Sequence, residues 1–99
     1  MRELTSRERR HLRGLAHHLD PVVIIGKGGL SEPVRRQIER ALSDHELIKV
    51  RFLEGKPDKA AIAALEEETT CRSAGVVGHI AVLFREQSEP EKRKIRLPS

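Results

Sequence analysis

Residues 26–29 read Gly26-Lys27-Gly28-Gly29, between the apolar run Val22 to Ile25 and the pair Ser31 and Pro33. Glycines let a backbone approach a ligand closely and reach φ > 0. Successive N–H groups in such a loop can form an anion nest. A helix starting at Ser31 would aim its positive end at the same place, and Lys27 adds a full charge. This is chemistry for holding a phosphate. The same glycines would equally suit a tight strand-to-helix turn that holds nothing.

Spacing separates the known phosphate loops. A P-loop needs its lysine after the last glycine and a hydroxyl after the lysine, and Lys27 comes too early. A dinucleotide fingerprint would need glycine where Ser31 stands, and a larger sheet behind it. The GxxG loop of a KH domain matches in letters but joins two helices. Here Pro21 and the β-branched run place a strand before the loop, and Glu32-Pro33 follows where that pattern wants an apolar residue. A strand–GxxG–helix unit is the simpler description.

Three sets of basic residues accompany the loop. On a helical wheel Arg36 and Arg40 fall opposite the Val34/Ile38/Leu42 stripe, and Arg10, Arg13 and His17 lie outside the Leu12/Leu15/Leu19 stripe. Lys49 and Arg51 share one face of the alternating segment Ile48 to Phe52. Each set alone is an ordinary solvated face; three sets around one glycine loop suggest a phosphate-binding surface. Glu66-Glu67-Glu68 ends a third helix, either as an ordinary solvated acidic turn or as a patch that repels RNA from that end.

Other chemistry is poorly supported. His17 and His18 are adjacent, and a helix would point them about 100° apart. His11, His45 and His79 have no metal-ligand spacing around them. Cys71 is the single cysteine, so no disulfide framework or thiolate cage is expected, and no nucleophile or carboxylate pair is framed by a signature. No metal, no cofactor and no enzymatic activity are expected.

The elements that must position the loop follow from periodicity and punctuation. Thr5 to Glu8 reads as a capping box, and Leu12, Leu15, Ala16 and Leu19 predict a first helix to about His18. Val22 to Ile25 predicts a short buried strand. Ser31 caps a second helix carrying Val34, Ile38, Ala41 and Leu42 to near Asp44, and His45-Glu46 turns the chain into the strand Ile48 to Phe52. Gly55 to Asp58 is a turn, and Asp58 caps a third helix with Ala61, Ile62, Leu65 and Thr69 inward. Val76-Val77 and Ile80 to Phe84 predict a hairpin turning at Gly78-His79. The predicted order is α-β-α-β-α-β-β: an α/β fold with a four-stranded mixed sheet packed by helices.

Composition bounds the whole. Ninety-nine residues, 37% hydrophobic and 34% charged, suit a single small domain over residues 1–85 with a charged, loose C-terminal tail over 86–99. Ile95 and Leu97 are the tail residues able to anchor it or to dock a partner. With 19 Lys+Arg against 15 Asp+Glu, the net charge of +4 favours a polyanionic partner. Two phenylalanines and no Tyr or Trp argue that backbone charge and shape would outweigh base stacking. The start lacks an apolar signal core and no run is long enough to span a bilayer, so a cytoplasmic, membrane-free monomer is expected.

His18-Leu19-Asp20-Pro21-Val22-Val23-Ile24-Ile25-Gly26-Lys27-Gly28-Gly29-Leu30-Ser31 resembles the signature of the CRM domain (chloroplast RNA splicing and ribosome maturation). His45 to Val50, Gly78 with Ile80 to Arg85, and the tail Lys92 to Pro98 are similar to the stand-alone bacterial YhbY-like branch of that family. Thr70 to Ala74 departs from the pattern. The resemblance implies a fold related to the C-terminal domain of translation initiation factor three and RNA binding through the GxxG loop. It also implies association with rRNA in a precursor of the large ribosomal subunit. The expected RNA-contacting set is Gly26, Lys27, Gly28, Gly29, Arg35, Arg36, Arg40, Lys49, Arg51, Arg10 and Arg13. The alternative is a protein-interaction module or intron-splicing cofactor in which RNA contact is secondary.

Overall fold

A computed structural model describes residues 1–98; Ser99, the last residue of the expected tail, lies outside the described residues. The capping box forms as the sequence predicts: Glu8 N donates to Thr5 Oγ1 at 3.1 Å, and Thr5 N donates to Glu8 Oε1 at 2.9 Å. Helix α1 (Ser6–Ala16) follows, two residues shorter than its periodicity suggests. Then come β1 (Val23–Ile25), α2 (Glu32–His45), β2 (Leu47–Phe52), α3 (Lys59–Glu68), β3 (Arg72–Val77) and β4 (Ile80–Phe84), with a 3-10 turn at Pro90–Lys92. This is the predicted α/β order.

The sheet order is β1-β2-β4-β3, with β1 parallel to β2 and the other pairs antiparallel. Alternation along β2 divides the interior in two. Ile48 and Val50 point with Val23, Ile25, Leu83, Ile38, Leu42 and Leu65 into a core under α2 and α3. Leu47 points the other way, with Val82, Phe84, Ala74, Leu12 and Ala16, into a second core under α1. The sheet is therefore the middle of three layers.

Four expectations are corrected by this arrangement. Leu15 and Leu19 were predicted to face inward, but both stay exposed, because only Leu12 and Ala16 of that stripe are buried against the sheet. β1 is buried on one face only, leaving Val22 and Ile24 open on the α1 side. β3 begins at Arg72, four residues before the predicted Val76; polar and small residues and a bulge between Ser73 and Gly75 disguise it.

The fourth concerns the tail. Glu46, fully buried at φ 64°, closes α2 and turns its carboxylate onto the C-terminal segment. It accepts the amides of Gln87 and Lys94, both at 2.7 Å, and of Ile95 at 3.0 Å. Ile95 and Leu97 pack against the α1-side core. The described part of the expected loose tail is thus bound to the domain, and Ile95 and Leu97, expected either to anchor it or to dock a partner, pack against the domain itself.

Candidate nucleic-acid interface

Parallel pairing of β1 with β2 brings their two following loops to the same end of the sheet. The β3–β4 turn joins them there, since Phe52 N donates to His79 O at 2.8 Å. One end of the molecule therefore collects Gly26-Lys27-Gly28-Gly29, Leu53-Glu54-Gly55-Lys56 and Gly78-His79. The first loop is a candidate from the sequence; the second is expected there only as a turn, and its Lys56, with Lys59 at the start of α3, is not among the expected contacts. The predicted parallel β-α-β order was the signal that could have found it.

The glycine loop is a compact turn. Gly29 N donates to Gly26 O at 3.0 Å, and Ser31 N to Gly29 O at 2.9 Å. Gly29 has φ 66°, so a side chain there would be strained. The amides of Lys27, Gly28 and Leu30 make no hydrogen bond within the described chain. Ser31 caps α2, with Val34 N 3.5 Å from its Oγ. A cleft of about 360 Å³ separates the loop from α3, lined by Leu30, Phe52 and Leu65, with Lys27 and Glu54.

Partners divide the predicted cations. Arg35 hydrogen-bonds to Glu32, and Arg36 lies 4.0 Å from the same carboxylate. That bond to Arg35 lowers the carboxyl pKa of Glu32, with the nearby guanidinium charges assisting. Lys49 donates to Leu19 O at 3.0 Å, fastening the chain that leaves α1. Arg13 donates to Ala74 O at 2.7 Å and lies across Gly75, where a β-carbon would stand 2.8 Å from Arg13 Cδ. The side chains of Lys27, Arg10, Arg40 and Arg51 make no hydrogen bond or ion pair among the described residues, and neither do those of Lys56 and Lys59.

Layering divides them again. α1 and α2 lie on opposite faces of the sheet, so Arg10 and Arg13 do not join Arg36 and Arg40 in one patch. Lys49 and Arg51 do share the α1-side face, as predicted, but only Arg51 is unengaged. It pairs with Ile24 of β1, the residue two positions before Gly26. The loop end thus combines free amides, a helix N-terminus and unpaired Lys27, Arg51, Lys56 and Lys59.

Among the described residues no group of three His, Cys, Asp or Glu side chains is placed to hold a metal ion. No helix among them is long and apolar enough to cross a membrane. Cys71 is buried beside Thr69, and burial raises its thiol pKa.

Several known proteins are similar to this chain over nearly its whole length. A Haemophilus influenzae protein named "RNA-binding protein" is 42% identical over 100 residues, spanning 99% of this chain and 98% of its own length. The Bacillus subtilis "Probable RNA-binding protein YqeI" is 38% identical over 97 residues, spanning 96% and 99%. The solution structure of the hypothetical protein SAV1595 from Staphylococcus aureus superposes with a TM-score of 0.83 at 40% identity, covering 96% of this chain and 99% of that one. The family model of the CRS1 / YhbY (CRM) domain matches residues 4–85, helix α1 through the end of β4, and the chain belongs to that family.

Proposed function

We propose that this protein binds RNA without catalysis, through the glycine loop and the unpaired cations gathered around it. The carrying observation is Lys27. It stands exposed in a turn whose neighbouring amides are unbonded, at the head of α2, with no carboxylate paired to it. Such a site offers a phosphate N–H donors, a helix dipole and one full charge together. The names of the relatives support a nucleic-acid partner.

The finer reading is rRNA in a precursor of the large ribosomal subunit, bound by a cytoplasmic monomer that acts as an assembly factor. Family resemblance supports it, together with a charge balance suited to a polyanion. Arg36, Arg40, Lys56 and Lys59 extend the grip beyond the loop. Arg10 would reach RNA only if the ligand wraps around to α1. The protein-partner alternative loses its motive, because Ile95 and Leu97 are packed against the domain itself.

The test is a sucrose gradient of host extract, probed for this protein at low and at high salt. Co-migration with large-subunit particles that is lost at high salt is the expected result. Co-migration that survives nuclease and salt would favour a protein partner. Protein confined to the top fractions in both conditions would reject the ribosomal assignment.

A further inference from the structure

We propose that the open α1-side face of the sheet, beside the glycine loop, is a platform for unstacked bases of single-stranded RNA, centred on Arg51. This rests on the RNA reading above and names the form of RNA taken. Ladder register puts Ile24, Arg51, Ile80 and Val77 in one row across all four strands. All four side chains point to the face that α1 covers elsewhere, because Leu47, four residues before Arg51 on β2, and Val82, two residues after Ile80 on β4, point into the α1-side core.

α1 stops before it reaches this row. In the preceding row Lys49 is tied to Leu19 O, Val82 is buried and Arg13 lies over Gly75. The next row is more open: Ile24 is 54% and Val77 64% exposed, Ile80 is half-buried, and the exposed Arg51 side chain has no partner among the described residues. Three aliphatic side chains and one planar cation therefore line a strip about 14 Å across, from four strands at ordinary spacing.

The occupant follows from this mixture. Base faces stack on guanidinium planes and pack on apolar surface, and a four-stranded sheet is wide enough for two or three bases, which RRM domains stack on aromatic side chains. A phosphate would find Arg51 but also the aliphatic neighbours that exclude its water. An apolar protein segment would bury the guanidinium unpaired, which is costly. Ile24 lies two positions before Gly26, the start of the glycine loop, so a strand whose phosphates meet Lys27 can lay its bases on this row. The shortage of aromatic rings, which suggested that stacking is minor, is offset here by Arg51 and its aliphatic flanks.

The experiment compares an unstructured oligouridylate with an RNA duplex of matched phosphate number, by fluorescence anisotropy across a salt series. Arg51→Lys keeps the charge and loses the plane; a second variant combines Ile24→Ser with Val77→Ser at exposed positions. Each is expected to weaken oligouridylate binding about tenfold and to leave both salt slopes near wild type; the Ile24→Ser and Val77→Ser pair should leave duplex affinity unchanged, and Arg51→Lys should weaken the duplex far less than the oligouridylate. Lys27→Ala should lower the slope for both RNAs. Variants that bind oligouridylate like a wild type that does bind RNA would overturn the platform alone and leave the row to an apolar protein segment. Equal losses on both RNAs would also overturn it. A wild type that binds neither RNA overturns the RNA reading, and the platform with it.

Discussion

Glu46 and Lys94 are 48 residues apart in sequence, yet the amide of Lys94 donates to the Glu46 carboxylate at 2.7 Å. With the amides of Gln87 and Ile95 on the same carboxylate, one buried side chain holds the C-terminal segment to the end of α2. Removing it leaves three donors without that acceptor. Glu46→Ala should destabilise the fold by about 2–4 kcal/mol. Urea denaturation measures the loss, and hydrogen exchange should show the Lys94 and Ile95 amides deprotected first. A stability within 0.5 kcal/mol or so of wild type would mean the segment is held by Ile95 and Leu97 packing alone.

Lys27 and Arg13 should separate phosphate contact from structural support. Lys27→Ala is expected to reduce the log–log salt slope of RNA binding by roughly 0.7–0.9, with little change in stability. Arg13→Ala should leave that slope unchanged and lower stability by about 1 kcal/mol, because its bond to Ala74 O is lost. The reverse pattern would move the phosphate site to α1.

Gly75 has φ 148°, and a β-carbon there would meet Arg13 Cδ at 2.8 Å. Both the backbone conformation and the overlying side chain oppose substitution. Gly75→Ala should cost about 1–3 kcal/mol, lowering Tm by several degrees in a domain of this size. Adding Arg13→Ala should recover only the steric share. Full recovery would show that the backbone conformation carries no cost.

Acid sensitivity has a definable source in Glu8. The Arg2 guanidinium, bonded at 2.8 and 2.6 Å, and then the Thr5 amide hold its carboxyl down at about 2. A carboxyl depressed by folding contributes stability above its unfolded pKa and loses it as pH falls through the folded value. This contribution should therefore fade from the ordinary glutamate range down to about pH 2. Glu8→Gln should remove that part of the acid slope in thermal melts between those limits. An unchanged slope would assign it to other carboxylates.

Cys71 should be chemically silent in the native state. It is buried, and burial raises its thiol pKa, so little reactive thiolate is present at neutral pH. Reaction with a disulfide reagent should proceed only at the rate of opening or unfolding and become fast in denaturant. Rapid stoichiometric labelling of folded protein would contradict the packing around Thr69 and Leu65.

Local signals were sufficient for much of the architecture. The capping pair Thr5 and Glu8, the N-caps Ser31 and Asp58, and the turn at Gly78-His79 act within a few residues, so their letters alone specified where elements begin and turn. The glycine loop was legible for the same reason: strand, GxxG and helix are contiguous. β3 was not, because Arg72 to Gly75 lack the alternation that reports a half-buried strand, and their pairing with β4 supplies the missing stabilisation.

What tertiary structure alone decided was which cations are free and which surfaces face each other. A helical wheel shows Arg13 and Arg10 as outward, but only packing reveals that Arg13 spans to Ala74 and that α1 lies across the sheet from α2. Lys49 and Arg51 look equivalent in an alternating strand, yet the Lys49 side chain is tied to Leu19 O while that of Arg51 has no partner among the described residues. Side-chain period is a local property of the backbone. Long-range hydrogen bonds and layer assignment depend on contacts between residues dozens of positions apart, which no local pattern encodes.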